Sequence, residues 1–311
     1  MFDDASCNKK LYNGLMDSLK KENYIYKELQ KSDAVRYGRY LIRIKENILH
    51  PAVLMKKINA TRGANAVIKS YPQNNKVQSK KKNSNYFCDD RIAIYTAVFG
   101  HYDTVKEPIW KPDNCDCFIV TDQDIPSDSA WKKVDVDWEH LNIKDNILRN
   151  RYCKMFPHKL PTIGEYKYSI YIDGNIQPVT DFTEFVNEMG KPGIALHLHS
   201  SRDCVYQEAQ ACIMSGKETK SNIKKHIDFL KSEGFPEHYG MLECNLIVRN
   251  HNSQLMKSIM ELWWNEFCER SKRDQLSLPY VLFKLGIKVE EIGVLGNNIF
   301  MNDALRVLKH E

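Results

Sequence analysis

The chain has 311 residues, of which 42% are hydrophobic and 27% charged, and its formal net charge is +5. These values are ordinary for a soluble globular protein and allow a sizeable core. They argue against a membrane-spanning protein, because no window holds the roughly 18 uncharged apolar residues of a span. The N-terminus also lacks the basic-then-apolar pattern of a secretory signal, so we expect a cytoplasmic protein.

Basic residues are concentrated in the first 87 residues, where 18 Lys and Arg stand against 7 Asp and Glu. Helical spacing of apolar residues, followed by a polar and turn-rich stretch, predicts a basic helical extension over 1–69 and a linker over 70–88. The main domain is predicted to cover 89–311. The extension is suited to contact an anionic membrane surface or a partner enzyme, although a solvated helical face explains its lysines equally well.

After the linker, strands and helices alternate. Apolar or alternating runs predict strands over 91–99, 116–122, 131–137, 166–172, 193–199, 244–250 and 288–292. Helical spacing predicts helices over 142–156, 181–189, 203–215, 219–233, 252–270 and 274–285, the first with Asn142 as its cap. This alternation predicts an α/β sandwich with a mainly parallel sheet, in which ligands bind at the carboxyl ends of strands.

The segment "YSIYIDGN" places polar side chains at such a strand end. Asp173 follows the predicted strand directly, and Asn175 lies two residues further on. A carboxylate and an amide oxygen suit Mn²⁺ or Mg²⁺, and the glycine between them lets the backbone turn tightly and a phosphate approach. Asp-Gly-Asn is also common turn chemistry, so a simple turn remains the alternative.

A basic stripe follows one side of the helix predicted over 142–156. Arg151, Lys154 and His158 are spaced so that they share one face, beside the apolar face. Arginine and lysine bind phosphate well, which favours a phosphate-binding role. A solvated helix face is the alternative.

Two further segments offer candidate residues. "HLHSSRD" contains His199, a candidate metal or phosphate contact, followed by Arg202 and Asp203 at the start of a helix. Asp274 opens another helix, where it is a candidate site residue or a simple N-terminal cap. The chain has no P-loop, dinucleotide-binding, nucleophile-elbow or zincin motif, and no basic-aromatic module for nucleic acid.

The order of these segments resembles a known family. The matching stretches are "IAIYTAVFGHYD", "FIVTD", "RNRYCKMFPHKL", "YSIYIDGNIQ", "HSSRDCVYQEAQAC", "GMLECNLIVRNHN" and "RDQLSLPY". Over about residues 90–300 the chain resembles the glycosyltransferase-like domain family of bacterial capsule and surface-polysaccharide proteins, which includes plant Golgi proteins that add galacturonic acid to pectin.

The resemblance implies a GT-A-type fold, a nucleotide-sugar donor, with UDP as the expected nucleotide, and a divalent metal. It also implies a saccharide or lipid-linked acceptor and a parallel with glycogenin-like transferases that retain the anomeric configuration. Asp173 and Asn175 stand where those enzymes have D-x-D, and the asparagine departs from that pattern. His199 and His310 are both candidates for one more metal ligand.

The resemblance assigns the remaining roles by position. Asp274 and Gln275 stand at the catalytic D-Q pair, with Glu243 as the next candidate. The resemblance places the nucleoside half of the donor at Thr96, Ala97, Gly100, Tyr102 and Asp122. The basic stripe and the segment "HLHSSRD" add five predicted nucleotide-sugar contacts, Arg151, Lys154, His158, Arg202 and Asp203. Two other functions stay open, namely a non-catalytic carbohydrate- or nucleotide-binding protein and a nucleotidyl- or phosphotransferase.

Overall fold

The computed structural model describes residues 90–104, 106–109, 113–296, 298–302 and 304–308. The predicted extension and linker lie outside these residues, and their boundaries stay predictions. None of the described helices is long and apolar enough to cross a lipid bilayer.

A seven-stranded sheet in the order β3-β2-β1-β4-β7-β6-β8 forms the centre of the described domain. Every strand of this sheet is parallel to its neighbours except β7, which is antiparallel to both β4 and β6. The strands are β1 (Ile92–Val98), β2 (Cys115–Thr121), β3 (Lys132–Lys133), β4 (Tyr168–Ile172), β6 (Ile194–Leu198), β7 (Leu242–Asn250) and β8 (Gly293–Val294). The short strands β5 (Ile176–Pro178) and β9 (Leu305–Val307) pair separately and antiparallel.

Helices cover the sheet, which explains why the central strands read as continuous apolar runs. All seven residues of β1 and all seven of β2 are buried, as expected for parallel strands that are packed on both faces. The helices are α1 (Asn146–Met155), α2 (Val205–Met214), α3 (Lys220–Ser232), α4 (Gln254–Glu269) and α5 (Asp274–Lys284). The predicted α/β sandwich with a mainly parallel sheet is confirmed.

The regularly spaced apolar residues of helix α4 form one buried face. Met256, Met260, Trp263 and Phe267 recur every three or four residues and are all fully buried. Burial of each such side chain stabilises the fold by about 1.5–3 kcal/mol. The hydroxyl of Ser253 accepts a hydrogen bond from Met256 N at 3.1 Å and so begins the helix.

Four predicted elements differ from the structure. Helix α1 begins later than predicted, because Asp145 and not Asn142 accepts the capping hydrogen bond from Leu148 N. The helix predicted over 181–189 is a 3-10 helix, Thr183–Glu188. The strand predicted over 288–292 is also a 3-10 helix, Val289–Glu291, and the sheet strand follows it. Of the strand predicted over 131–137, only Lys132 and Lys133 form a strand, and both are exposed. This strand lies at the edge of the sheet and pairs on one side only, with β2.

Three buried histidines make stability depend on pH. Burial lowers the pKa of His197 and His226 to about 4 and, together with Arg249, that of His251 to about 3. Below about pH 6.5 the unfolded chain binds protons on these rings, whereas the folded chain does not until about pH 4. Stability is therefore complete above pH 6.5 and falls as the pH drops, by about 2 kcal/mol per ring at pH 5.

Urea unfolding at pH 7.5 and pH 5.0 measures this effect. The buried carboxylates Glu208 and Asp274 do not contribute in this window, because their pKa values are lowered and they lose their charge only at lower pH. Burial raises the pKa of Glu266, and protonation of that carboxyl in the folded chain opposes the histidine effect. His140, which is exposed, provides the control, and H140N should keep the full pH dependence. Equal free energies of unfolding at the two pH values would contradict the prediction.

Candidate active site at the carboxyl edge of the sheet

Asp173 lies at the carboxyl end of β4, as the sequence predicts. Its backbone N–H donates to Asn245 O on β7 at 2.9 Å, and its carbonyl accepts from Ile176 N at 2.9 Å, which closes the turn. A Cβ on Gly174 would lie 2.6 Å from Val98 Cγ2, so this turn requires glycine. The tight turn therefore does not exclude the proposed role of Asp173 as a metal ligand, because its side chain stays 31% exposed.

Asp173 belongs to an ion cluster with three other residues, Arg151, Lys154 and Asp274. Lys154 Nζ lies 3.2 Å from Asp173 Oδ1 and 2.8 Å from Asp274 Oδ2. Arg151 Nε lies 3.2 Å from the same Asp274 oxygen. The Lys154 side chain is only 2% exposed, so it is a buried counter-ion and not the solvated lysine that its helix position suggested. The cluster joins α1, the end of β4 and the start of α5.

The charges on Asp274 and Arg151 are stabilised by their ionic neighbours against the effect of burial. Burial raises the pKa of Asp274, but Arg151 and Lys154 outweigh this effect and hold the pKa of the carboxyl well below its usual range. Burial likewise opposes the charge on Arg151, and Asp274 and Asp173 overcome it and raise the pKa of the guanidinium. Asp274 and Arg151 therefore both stay charged near neutral pH.

Buried hydrogen bonds fix the helix that carries the two cations. Asn150 Nδ2 donates to Ala97 O in β1 at 2.7 Å, and Tyr95 Oη donates to Cys153 O at 3.1 Å. Arg249, fully buried on β7, donates to the carbonyl of Lys154 and, at 2.8 Å, to Tyr95 Oη. A cation at the last turn also suits the helix dipole. Sequence reasoning missed Arg249, and the available signal was a charge inside the apolar run "NLIVRN".

The other predicted catalytic residues lie next to this cluster. Gln275 Nε2 donates to Glu243 Oε2 at 3.1 Å, and Gln275 N donates to Asp274 Oδ1 at 3.1 Å. Glu243 Oε1 accepts from Ser200 N at 3.3 Å and from Ser200 Oγ at 3.4 Å. Asn245, two residues further along β7, has a buried side-chain oxygen without a hydrogen-bond partner in the described part of the chain. Neither Ser200 nor Asn245 was singled out from the sequence.

His199 is engaged within the protein instead of being offered to a metal. Its Nδ1 accepts from the backbone N–H groups of Ser201 and Arg202, at 3.2 and 3.1 Å. Its Nε2 lies 3.4 Å from Glu208 Oε2, and Arg202 Nε lies 2.5 Å from the same oxygen. Burial opposes ionisation of Glu208, but the hydrogen bonds from His199 and Arg202 lower its pKa to about 2. This network positions the loop that carries Ser200.

Two further predicted contact residues, Asp203 and His158, interact with residues outside the ion cluster. Asp203 Oδ1 lies 2.8 Å from His238 Nδ1. His158 does not continue the face of Arg151 and Lys154, because α1 ends at Met155 and Pro157 begins a 3-10 helix. Its ring packs 6.3 Å from that of His251, and burial lowers its pKa to about 4. The shared basic stripe therefore holds for Arg151 and Lys154 and is wrong for His158.

The predicted nucleoside-binding residues cluster at the ends of β1 and β2. Gly100 N donates to both carboxylate oxygens of Asp122, at 3.1 and 2.9 Å, and Gly100 has a φ of +66°, which favours glycine. Tyr102 is 66% exposed in the same loop. Thr96 and Ala97 lie buried within β1, whose last residue, Val98, is buried as well.

The donor set for a metal consists of one carboxylate and one amide. Asn175 Nδ2 donates to Leu308 O at 2.9 Å, and Leu308 N donates to Asn175 O at 2.7 Å. No group of three His, Cys, Asp or Glu side chains suited to a metal occurs among the described residues. His310 lies outside them, two residues after Leu308 in the sequence. A carboxylate and an amide oxygen are ligand types that a hard cation would accept, with phosphate oxygens and water able to supply further ligands.

Sequence comparison places this domain among glycosyltransferase-like proteins. The family model TOD1/MUCI70, glycosyltransferase-like domain, matches residues 67–310. The chain is 26% identical over 225 residues to the "Probable hexosyltransferase MUCI70" of Arabidopsis thaliana, an alignment that covers 63% of this chain and 38% of the plant protein. The chain therefore spans well under half the length of that relative.

Three solved structures are similar at low sequence identity. The apo structure of the bifunctional glycosyltransferase WbbM is 9% identical with a TM-score of 0.39, over 67% of this chain and 39% of that one. GlyE of Streptococcus pneumoniae is 11% identical with a TM-score of 0.35, over 66% and 45%. The galactosyltransferase LgtC, in complex with donor and acceptor sugar analogs, is 10% identical with a TM-score of 0.37, over 63% and 72%. These TM-scores are too low to support an argument about the fold, which the sheet topology of the domain defines.

Proposed function

Because the family model covers most of its length, the chain belongs to the TOD1/MUCI70 glycosyltransferase-like family, and we propose that it transfers a hexosyl or uronosyl group from a nucleoside diphosphate sugar. UDP is the proposed nucleotide, and a saccharide or lipid-linked saccharide the acceptor. The observation that carries this proposal is the ion cluster, in which the buried Lys154 and the half-buried Arg151 lie with an accessible carboxylate at the edge where α/β sheets bind ligands.

The cations of the chain act on the leaving group. In the transfer, the bond between the anomeric carbon and the diphosphate oxygen breaks, and an acceptor oxygen forms the new bond and loses its proton. The departing diphosphate gains negative charge, which Arg151 and Lys154 are placed to stabilise. Asp274 contacts both cations, so its proposed role is to hold them in position.

Asp173 and Asn175, with His310 as a third ligand, are proposed to hold Mn²⁺ or Mg²⁺. When bound, such an ion supplies further positive charge to the diphosphate oxygens. Leu308, two residues before His310 in the sequence, is hydrogen-bonded to Asn175. This favours His310 as the third ligand over His199, because both ring nitrogens of His199 already have partners.

Glu243 and Gln275 are proposed to face the sugar. The anomeric carbon becomes cation-like as the nucleotide leaves, and a carboxylate or an amide oxygen nearby stabilises it. Glu243 is partly exposed and bonded to Gln275 and Ser200, which fixes its orientation. The proposed reaction retains the anomeric configuration, as the resemblance to glycogenin-like enzymes implies.

Product analysis tests the function directly. The full chain is incubated with a panel of nucleoside diphosphate sugars, with Mn²⁺ or EDTA, and the released nucleotide is identified by chromatography. We expect release of a nucleoside diphosphate from one donor, faster when an acceptor saccharide is added. Release of pyrophosphate would instead indicate a nucleotidyltransferase. Saturable donor binding, seen as a thermal shift, without any turnover would indicate a binding protein.

The basic extension is proposed to bring the enzyme to an anionic membrane surface or to a partner enzyme of capsule or surface-polysaccharide synthesis, from the cytoplasmic side. Removal of residues 1–66, which precede the family match, should leave donor hydrolysis unchanged and weaken sedimentation with vesicles that contain anionic lipid. Vesicles of neutral lipid provide the control. Equal sedimentation of the full and shortened chains would contradict a membrane role for the extension.

A further inference from the structure

Lys154 supplies a positive charge between two carboxylates of the site. Its ammonium lies between the carboxylates of Asp173 and Asp274, at 3.2 and 2.8 Å, and also 5.2 Å from the centre of the Tyr171 ring. A buried ammonium requires such partners, because its removal from water is otherwise strongly unfavourable. Asp173, the only carboxylate of the proposed Asp-Gly-Asn metal site, is therefore already partnered by a positive charge of the protein.

Lys154 already neutralises part of the negative charge around Asp173. The ion cluster contains two carboxylates and two cations. The buried Asp103 adds a further carboxylate, whose Oδ2 would lie 3.5 Å from a Cβ on Gly174. A divalent ion that enters alone would still lie close to the Lys154 ammonium, which repels it.

We propose that Lys154 is a built-in counter-cation of Asp173, so that this chain binds a divalent metal well only together with a nucleoside diphosphate. The negative charges of the diphosphate offset both the metal and the ammonium, so metal and nucleotide each raise the affinity of the other. This inference rests on the proposed nucleotide-sugar site. It adds a coupling between the two ligands: at equilibrium the empty site holds little metal, and the diphosphate raises the occupancy of the metal.

Binding measurements on the full chain test this without any activity assay. Electron paramagnetic resonance of free Mn²⁺ gives the affinity for the metal alone, and calorimetry gives the affinity for UDP with and without Mn²⁺. For the wild type we expect binding of Mn²⁺ alone to be at least 10-fold weaker than for K154M, and UDP to bind at least 10-fold more tightly with Mn²⁺. K154M should show less of this coupling. K159M removes an exposed lysine paired with Glu261 and should behave as the wild type.

The outcomes separate the inference from the proposed function. If K154M binds Mn²⁺ alone no more tightly than K159M, or if the wild type binds Mn²⁺ equally well without UDP, the counter-cation role is overturned. If K154M does not fold, K154Q serves as a second neutral variant, and the wild-type comparison can still overturn the inference. Turnover of a nucleotide sugar alongside either negative result would leave the proposed function intact, whereas absence of UDP binding under all conditions would overturn both.

Discussion

Replacing Asp173 with alanine is expected to lower sugar transfer by about 10²–10³-fold, because the variant loses the carboxylate of the proposed metal site. The fold should survive, since Lys154 keeps its 2.8 Å contact with Asp274. The measurement is the initial rate of nucleoside diphosphate release, together with the melting temperature of each variant.

The matched control for this variant is D228A, which removes an exposed aspartate from α3, outside the site. It should keep the wild-type rate. An Asp173→Ala protein with full activity would remove Asp173, and with it the proposed metal site, from the reaction.

Replacing Asp274 with alanine is expected to destabilise the fold by about 3–5 kcal/mol, because it leaves the buried Lys154 and Arg151 without their shared carboxylate. Transfer should also fall, since both cations lose their positions. Urea unfolding measures the free energy, and the double variant D274A/K154M should recover part of it because one uncompensated charge is removed.

The control for Asp274 is a surface ion pair. Glu261 pairs with Lys159 at 3.1 Å, with side chains 58% and 42% exposed, and E261A should cost less than about 1 kcal/mol. A D274A protein that is as stable as E261A would show that the ion cluster does not depend on Asp274.

Periodicity predicted the elements of the domain well where hydrophobic burial alone decides them. The apolar runs that became β1, β2 and β4, and the three-to-four spacing of α4, are local patterns that need no partner to be recognised. The 3-10 helix at Val289–Glu291 was predicted as a strand, because a short apolar segment has no clear period and the sheet partner that decides its pairing lies elsewhere in the chain.

The sequence by itself determined that Asp173 ends a buried strand and that Arg151 and Lys154 share a helix face, because both follow from the geometry of a single element. Only the tertiary structure decided that Lys154 is buried between Asp173 and Asp274 and that Arg249 anchors its helix. It also decided that the His158 ring packs against His251 and that His199 pairs with Glu208. The reason is physical. The charge partner of a buried ion is whatever residue the fold brings within about 4 Å, and here it comes from positions 19 and 120 residues further along the chain.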